Sequence, residues 1–254
     1  MLEEYRSRST PGVAEAADDV PWGIGTAFAA LAVAFFIYVV ADTILAVITG
    51  NLSTRDQILF SLIGYQGLAL GVAVSVGVLI YNRYHVSAAA LGFRFPGFRR
   101  LLLSLAALIP TYFVILLVYA LFSALFPSFQ LRGNAQQELP LGHHVGLLRA
   151  VSVVFWGAVE APLVEETLFR GIIFQGMHHT FGQWFGRHLA LFAAALGSGL
   201  LFGLAHFQPH TLPILAILGI SLAYIFYYAR SIYASALVHG VVNFVTIIAV
   251  LQSS

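Results

Sequence analysis

Long apolar stretches alternate with short polar segments along most of the chain. Seven such stretches occur, at residues 22–49, 57–81, 101–126, 146–175, 189–206, 211–229 and 232–251. A transmembrane helix requires roughly 20 mostly apolar residues, and within hydrocarbon only internally hydrogen-bonded helices or closed barrels are stable. Because the apolarity is continuous and does not alternate from residue to residue, the pattern favours helices over a barrel. We therefore predict an all-α fold, a polytopic transmembrane helix bundle of about seven to eight spans.

Composition supports a membrane location and excludes several classes of function. Hydrophobic residues make up 59% of the 254 residues and charged residues 9%, whereas about a quarter of a soluble domain is charged. The net charge of +1, without a basic stripe, argues against a nucleic-acid partner. The sequence has no cysteine, which excludes disulfides, thiolate nucleophiles and cysteine-based zinc sites. The partner expected from composition is membrane lipid.

The N-terminal residues 1–20 differ from the rest of the chain. They are polar and charged and lack the apolar run of a signal peptide, so we predict a disordered tail followed by a single transmembrane domain at 21–254. Basic loops stay on the cytoplasmic side of a membrane. With the N-terminus inside, the inner segments hold Arg6, Arg8, Arg83, Arg94, Arg99, Arg100, Arg187 and Arg230. We expect a cytoplasmic N-terminus and a location in the cell (plasma) membrane.

The fourth apolar stretch contains charged residues that are costly in a membrane. A charge at the bilayer centre costs at least about 2.5 to 3.5 kcal/mol, yet Glu165, Glu166 and Arg170 lie close together here. Helical residues four apart share a face, so Glu166 and Arg170 are predicted to form an ion pair. Glu165 points elsewhere and remains available to activate water. Pro162, one turn earlier, is expected to kink the helix and to free a carbonyl.

Two later stretches contribute further polar side chains. His206 closes the fifth stretch, and His239 and Asn243, four residues apart, lie in the seventh. A histidine can act as a base, an oxyanion donor or a metal ligand. At 1.5 Å per residue, Glu165 and His239 would lie about 12 to 18 Å from the cytoplasmic face and His206 about 25 Å from it. For these residues to meet, the fifth helix must tilt or begin later, or the assignment of spans must be off by one element.

The order of these motifs resembles a known protein family. Two glutamates with an arginine four after the second, Phe202 with His206, and His239 with Asn243 are similar to the three motifs of the CAAX-protease and bacteriocin-processing (CPBP, Abi) family. That family includes type II CAAX prenyl endopeptidases and bacteriocin self-immunity proteins. The resemblance implies an intramembrane endopeptidase with its catalytic core at about 146–251, acting on a membrane-associated or prenylated (CAAX-like) protein.

The resemblance also implies a role for each polar residue. Glu165 and His206 would activate water, while His239 and Asn243 would stabilise the oxyanion; Glu166 and Arg170 complete the site. Two versions of the chemistry stay open. Glu165, His206 and His239 could hold zinc with one open position, as catalytic zinc sites do, which would make the protein a metalloprotease. The same residues could equally work without a metal.

Other functions compete with proteolysis. The charged residues of the fourth stretch could form the relay of a proton-coupled transporter, or the protein could be a non-catalytic immunity or scaffold protein. A purely structural ion network and interhelical hydrogen bonds are the plainer interpretations. The motifs of other intramembrane proteases are not found. No His-Glu-x-x-His sequence occurs, which excludes a zincin helix, and Asp42 is the only aspartate inside an apolar stretch, so a pair of catalytic aspartates is not available. Gly197-Ser198-Gly199 does not match a rhomboid-like serine motif and is typical of helix packing.

Overall fold

The computed structural model describes residues 20–49, 54–126 and 147–253, and these residues form helices joined by turns, with no strand. The predicted tail lies outside the described residues except for Val20. The helical bundle predicted from the apolar stretches is confirmed. Its helices are α1 (Ile24–Thr49), α2 (Thr54–Val74, Ser75–Tyr81 and Asn82–Tyr84 in succession), α3 (Phe98–Ala106 and Leu108–Leu125), α4 (Leu147–Phe155, Trp156–Glu160, Ala161–Glu166, Thr167–Phe174 and Gln175–Gly182), α5 (Arg187–Leu204), α6 (Leu212–Ala229) and α7 (Ile232–Ser253).

The protein is an integral membrane protein. Within the described residues, six helices are long and apolar enough to cross a membrane, namely α1, α2, α3, α5, α6 and α7. Large apolar side chains on these helices, such as Phe36 and Leu116, are exposed on the outside of the bundle, where lipid replaces water. The fourth stretch, predicted as a span at 146–175, is a longer helix that ends at Gly182. Its segment Thr167–Phe174 is completely buried, so α4 is the central helix of the bundle.

Small residues allow the helices to pack closely, as expected where lipid removes the hydrophobic drive between helices. A Cβ on Gly199 of α5 would lie 2.7 Å from the Ile220 backbone nitrogen of α6, and one on Gly219 would lie 2.8 Å from the Gly199 Cα. Ser198 donates a hydrogen bond of 3.2 Å to the Phe169 carbonyl of α4. The packing role predicted for Gly197-Ser198-Gly199 is therefore confirmed for Ser198 and Gly199.

One end of the bundle, which we call the basic end, collects arginines from several connections. The Arg94 guanidinium donates to the Arg230 carbonyl, and Ser231 donates a hydrogen bond of 2.6 Å to the Arg94 carbonyl, so the loops after α2 and α6 meet there. The start of α1 is at the same end, because the Ile24 N–H donates to Thr180 near the end of α4. The arginines of this end are Arg83, Arg94, Arg99, Arg100, Arg187 and Arg230, all assigned above to the cytoplasmic side.

The fifth helix differs from its predicted extent of 189–206. It begins at Arg187 and ends at Leu204, so His206 lies in the turn that follows. Phe207, directly after His206, has a left-handed backbone with φ of 54°. For a residue with a Cβ this conformation is uncommon, and it turns the chain sharply towards α6. His206 is thus carried by a turn, where the sequence pattern placed it inside a helix.

Candidate active site

Helix α4 changes its winding on both sides of the two glutamates. Residues Trp156–Glu160 and Thr167–Phe174 are π-helical, and the α-helical segment Ala161–Glu166 lies between them. Short π segments inside α-helices are frequent at functional sites, since they shift side chains around the helix and free carbonyls. Pro162 stands at the start of the middle segment and lacks the N–H that would bond the carbonyl four residues earlier.

Helix α7 packs against the carbonyls near this break. The Asn243 amide donates a hydrogen bond of 2.9 Å to the Gly157 carbonyl. Gly240 lies so close to the Ala158 carbonyl that a Cβ would not fit between them. Ala158 is the residue four before Pro162. The π-helical segment Trp156–Glu160 of α4 therefore helps to set the position of α7, the helix that carries His239.

Glu166 and Arg170 form the ion pair predicted from their spacing. Arg170 Nη1 lies 2.8 Å from Glu166 Oε1, and neither side chain has any exposed surface. Arg170 also donates a hydrogen bond of 2.9 Å to the Gly219 carbonyl of α6, and its guanidinium carbon lies 4.7 Å from the centre of the Phe202 ring of α5. The pair thus joins α4 to α5 and α6. Whether it also takes part in catalysis stays a prediction.

Glu165 has a different environment from its neighbour. Tyr65 of α2 donates a hydrogen bond of 3.0 Å to Glu165 Oε1. Glu165 Oε2 lies 3.8 Å from His239 Nε2, and the Glu165 side chain is 14% exposed whereas that of Glu166 is fully buried. Among the described residues, Oε2 has no hydrogen-bond partner. One carboxylate oxygen is therefore fixed by tyrosine and the other faces a histidine.

Tyr65 is a residue of the candidate site that the sequence analysis did not identify. It lies in the second apolar stretch, well before the three motifs, and its hydroxyl also lies 3.4 Å from the Ala161 carbonyl. The indication in the sequence is that two adjacent residues with polar groups, Tyr65 and Gln66, lie inside a mostly apolar stretch. Tyrosines occur throughout the chain, so that indication does not single out this one.

His239 faces both glutamates. Its Nδ1 lies 3.3 Å from Glu166 Oε1, and its Nε2 points to Glu165 at the distance given above. The side chain is 3% exposed, and its ring centre lies 5.4 Å from that of Phe202. The structure therefore brings together Glu165, Glu166, Arg170 and His239, four of the six predicted site residues.

His206 and Asn243 lie at the edge of this cluster. The His206 ring centre is 4.8 Å from that of Phe202, so Phe202 contacts both histidines. His206 Nδ1 lies 2.8 Å from the Phe202 carbonyl; because a carbonyl only accepts, Nδ1 carries the proton and neutral His206 presents Nε2 as an acceptor. No ion pair joins His206 to a carboxylate in the part of the chain that the structure describes. The amide of Asn243 contacts Gly157 and not the carboxylate of Glu165.

The predicted zinc ligands do not form a metal site as they are arranged here. Within the described ranges, no group of three or more histidine, aspartate or glutamate side chains could hold a metal ion. His239 directs each ring nitrogen at a different glutamate, whereas a zinc site needs its ligands to converge on one point at about 2.0 to 2.2 Å.

An apolar cavity of about 810 Å³ adjoins the segment of α4 that carries the glutamates, although neither glutamate lines it. It lies between α2, the loop after α2, α4 and the start of α7, and Leu163, Val164 and Thr167 line it from α4. Val164 directly precedes Glu165. Apolar atoms form most of its surface, which suits an apolar part of a ligand.

Comparison with known proteins gives one match. Residues 147–245 match the family described as type II CAAX prenyl endopeptidase Rce1-like. The comparison with curated proteins gave no match, and neither did the comparison with solved structures. The matched segment contains all three motifs and excludes Tyr65. It supports a CAAX-type intramembrane protease in general. By this match and by its motifs, the segment 147–245 is similar to the Rce1-like family of type II CAAX prenyl endopeptidases.

Proposed function

We propose that the protein is an intramembrane endopeptidase in which Glu165 is the general base that activates water. The observation that carries the proposal is the approach of Glu165 Oε2 to His239 Nε2, 3.8 Å apart, on helices that are distant in sequence. A water molecule at the usual distance of about 2.8 Å from each of two atoms fits when those atoms have this separation. The pair can therefore hold and polarise one attacking water.

The reaction follows from these positions. The water oxygen attacks the scissile carbonyl carbon while its proton passes to Glu165, and the carbonyl oxygen becomes an oxyanion. The same carboxyl group then gives the proton to the leaving amine nitrogen as the carbon–nitrogen bond breaks. A partly exposed carboxylate that is free of an arginine suits this exchange, whereas its neighbour Glu166 is already committed to Arg170.

The other polar residues supply donors and a second acceptor. The second N–H of the Asn243 amide is one proposed oxyanion donor, and His239 Nε2 becomes the other as the attacking water leaves it for the carbonyl carbon. His206 Nε2 is the proposed second acceptor for the proton of water, because its Nδ1 is engaged by the Phe202 carbonyl. Tyr65 fixes the orientation of Glu165 and so directs Oε2 towards His239.

The substrate we propose is a membrane-associated or prenylated protein. A peptide bond reaches Glu165 only when the substrate enters the bundle, and the apolar cavity beside Val164 accepts a lipid or an apolar segment more readily than a charged one. We further propose that the basic end faces the cytoplasm of a cell (plasma) membrane, in accord with the preference of arginine for that side.

The test is cleavage in proteoliposomes. Purified protein is incubated with peptides that carry or lack a C-terminal prenylcysteine, and products are identified by mass spectrometry. We expect cleavage by the wild type and its loss in Glu165→Gln, with an unchanged unfolding temperature. Tyr119→Phe, on the outside of α3, is the control and should cleave normally. Cleavage by Glu165→Gln at the wild-type rate would contradict the assignment of Glu165 as the base.

A further inference from the structure

A second cavity, of about 650 Å³, lies between α3 and α6 and is separate from the candidate active site. Its lining comes from these two helices alone, and no residue of α4 or α7 contributes. Arg100 Nη1 lies 3.5 Å from the Ala229 carbonyl, so the start of α3 and the end of α6 meet at the basic end. From there the cavity extends between the two helices towards the middle of the bundle. We call it the groove.

The lining residues of α3 recur at helical spacing along one face. Arg100, Ser104, Ala107, Thr111 and Val114 follow one another at intervals of three or four. At 1.5 Å per residue the distance from the first to the last is about 21 Å. One leaflet of the hydrocarbon core is about 15 Å thick, half of the 30 Å total. The groove is thus long enough to receive one acyl chain along its whole length.

The chemistry of the groove is divided between its ends. Arg99 and Arg100 line it at the basic end, and no carboxylate is among its lining residues. Below them, Ser104 donates to the Arg100 carbonyl and Thr111 to the Ala107 carbonyl, so these two hydroxyls are already used. Ser221 of α6 adds one further aliphatic hydroxyl to the lining, and the body of the groove otherwise presents mainly apolar surface. Two positive charges with no carboxylate among the described lining residues, above an apolar groove, match a molecule with an anionic head and a hydrocarbon tail.

Aromatic side chains mark where the head of such a molecule would lie. Tyr224 and Tyr228 of α6 line the groove near Ala229, and their rings stack with centres 6.5 Å apart. Tyrosine is enriched at membrane interfaces, where its ring contacts lipid and its hydroxyl contacts the polar layer. The arginines and tyrosines together place this end of the groove at headgroup level.

We infer that the groove between α3 and α6 binds one anionic glycerophospholipid of the surrounding bilayer. Its phosphate lies between the guanidinium groups of Arg99 and Arg100, and one acyl chain fills the slot as far as Val114. The inference does not depend on proteolytic activity, because Glu165 and His239 are not part of the groove. The proposed lipid stays bound to the bundle and is distinct from the bulk lipid of the bilayer.

The test uses the full chain in nanodiscs made with equal amounts of phosphatidylglycerol and phosphatidylcholine. After transfer to a non-ionic detergent, retained lipid is counted by native mass spectrometry. We expect one phosphatidylglycerol per protein. Arg99→Gln and Arg100→Gln should each lower its retention relative to phosphatidylcholine about fivefold, the effect of one arginine near the membrane surface. Arg83→Gln removes an exposed arginine of the same end outside the groove and should leave retention unchanged.

A second variant tests the position of the acyl chain. Ser221→Phe places a large ring in the slot from α6 and should abolish retention of phosphatidylglycerol, with the unfolding temperature showing that the bundle is intact. Equal retention of both lipids by the wild type would overturn the inference, as would an equal loss in Arg83→Gln and Arg99→Gln. Undiminished retention in a folded Ser221→Phe protein would also overturn it.

Discussion

Tyr65 of α2 donates a hydrogen bond of 3.0 Å to Glu165 of α4, a residue 100 positions later in the chain. The bond determines which carboxylate oxygen faces His239. It also separates the tasks of two adjacent glutamates, because Glu166 is held by Arg170 within its own helix. A segment outside the matched family region thereby contributes to the arrangement of the candidate base.

The first prediction concerns this tyrosine. Tyr65→Phe keeps the ring and removes the donor, and a hydrogen bond to a charged group contributes about 1.5 to 3 kcal/mol. We expect kcat to fall about 10- to 100-fold, with KM nearly unchanged, since the tyrosine orients the base and does not bind the substrate. Cleavage kinetics in proteoliposomes measure both constants. Equal kcat values for Tyr65→Phe and the Tyr119→Phe control would show that the bond does not matter.

The second prediction concerns the buried ion pair. Removing one charge of a buried pair leaves the other without compensation, which costs about 3 to 5 kcal/mol. We therefore expect Glu166→Gln and Arg170→Met each to lower the unfolding temperature markedly. The double variant should recover much of the loss, because no unpaired charge remains. Glu165→Gln, one residue away, serves as the matched control and should unfold near the wild-type temperature.

The double variant also separates stability from catalysis. If the pair is only structural, a folded Glu166→Gln/Arg170→Met protein regains cleavage together with its stability. If Glu166 orients His239 through the 3.3 Å approach of Nδ1 to Oε1, stability returns but kcat stays low. Recovery of neither property would contradict the account of the pair as an electrostatic unit.

The sequence was sufficient to predict the helical architecture and the Glu166–Arg170 contact in the candidate site. Apolar runs located the helices because hydrocarbon allows few other structures, and spacing of four along α4 predicted the Glu166–Arg170 pair because that contact is local. Contacts between different helices could not be predicted in the same way. Nothing in the apolar pattern of α2 selects Tyr65, and the Asn243 contact with Gly157 depends on a π segment that the sequence analysis did not predict.

The depth of the histidines shows the same limit. Counting residues from the cytoplasmic face placed His206 well beyond His239, because the count treats helices as parallel and equally long. In the structure Phe202 of α5, four residues before His206, contacts His239 of α7 and stacks edge-on with Phe169 of α4. Residues that the count places at different depths are therefore in contact, because their positions depend on packing between helices that the linear pattern does not contain.

The third prediction concerns the contact between α4 and α7. A side chain at Gly240 would collide with the Ala158 carbonyl, so Gly240→Ala must push α7 away from α4 and move His239 from Glu165. We expect lower thermal stability and a fall in kcat of at least tenfold, as a shift of about 1 Å at a reacting group can cost 100-fold. Differential scanning fluorimetry and cleavage assays measure the two effects.

Gly25 in α1 is the control for this substitution. A Cβ there meets nothing within 4 Å, so Gly25→Ala should preserve activity and gain up to about 1 kcal/mol from helix propensity. Opposite signs of the two stability changes are therefore expected. A Gly240→Ala protein as stable and active as Gly25→Ala would mean that α7 does not need this close approach.

The last prediction addresses His206, whose Nδ1 contacts the Phe202 carbonyl while its Nε2 is available as an acceptor. His206→Asn places an amide N–H near the position of Nδ1, so the bond to the carbonyl and the shape of the turn before Phe207 can persist. It removes the second ring nitrogen. Because general-base assistance contributes about 10²- to 10⁴-fold, we expect a folded protein whose kcat is lowered at least 100-fold. An active His206→Asn protein would instead assign His206 to holding the turn, whereas an inactive one with an unchanged unfolding temperature places Nε2 in the chemistry beside Glu165.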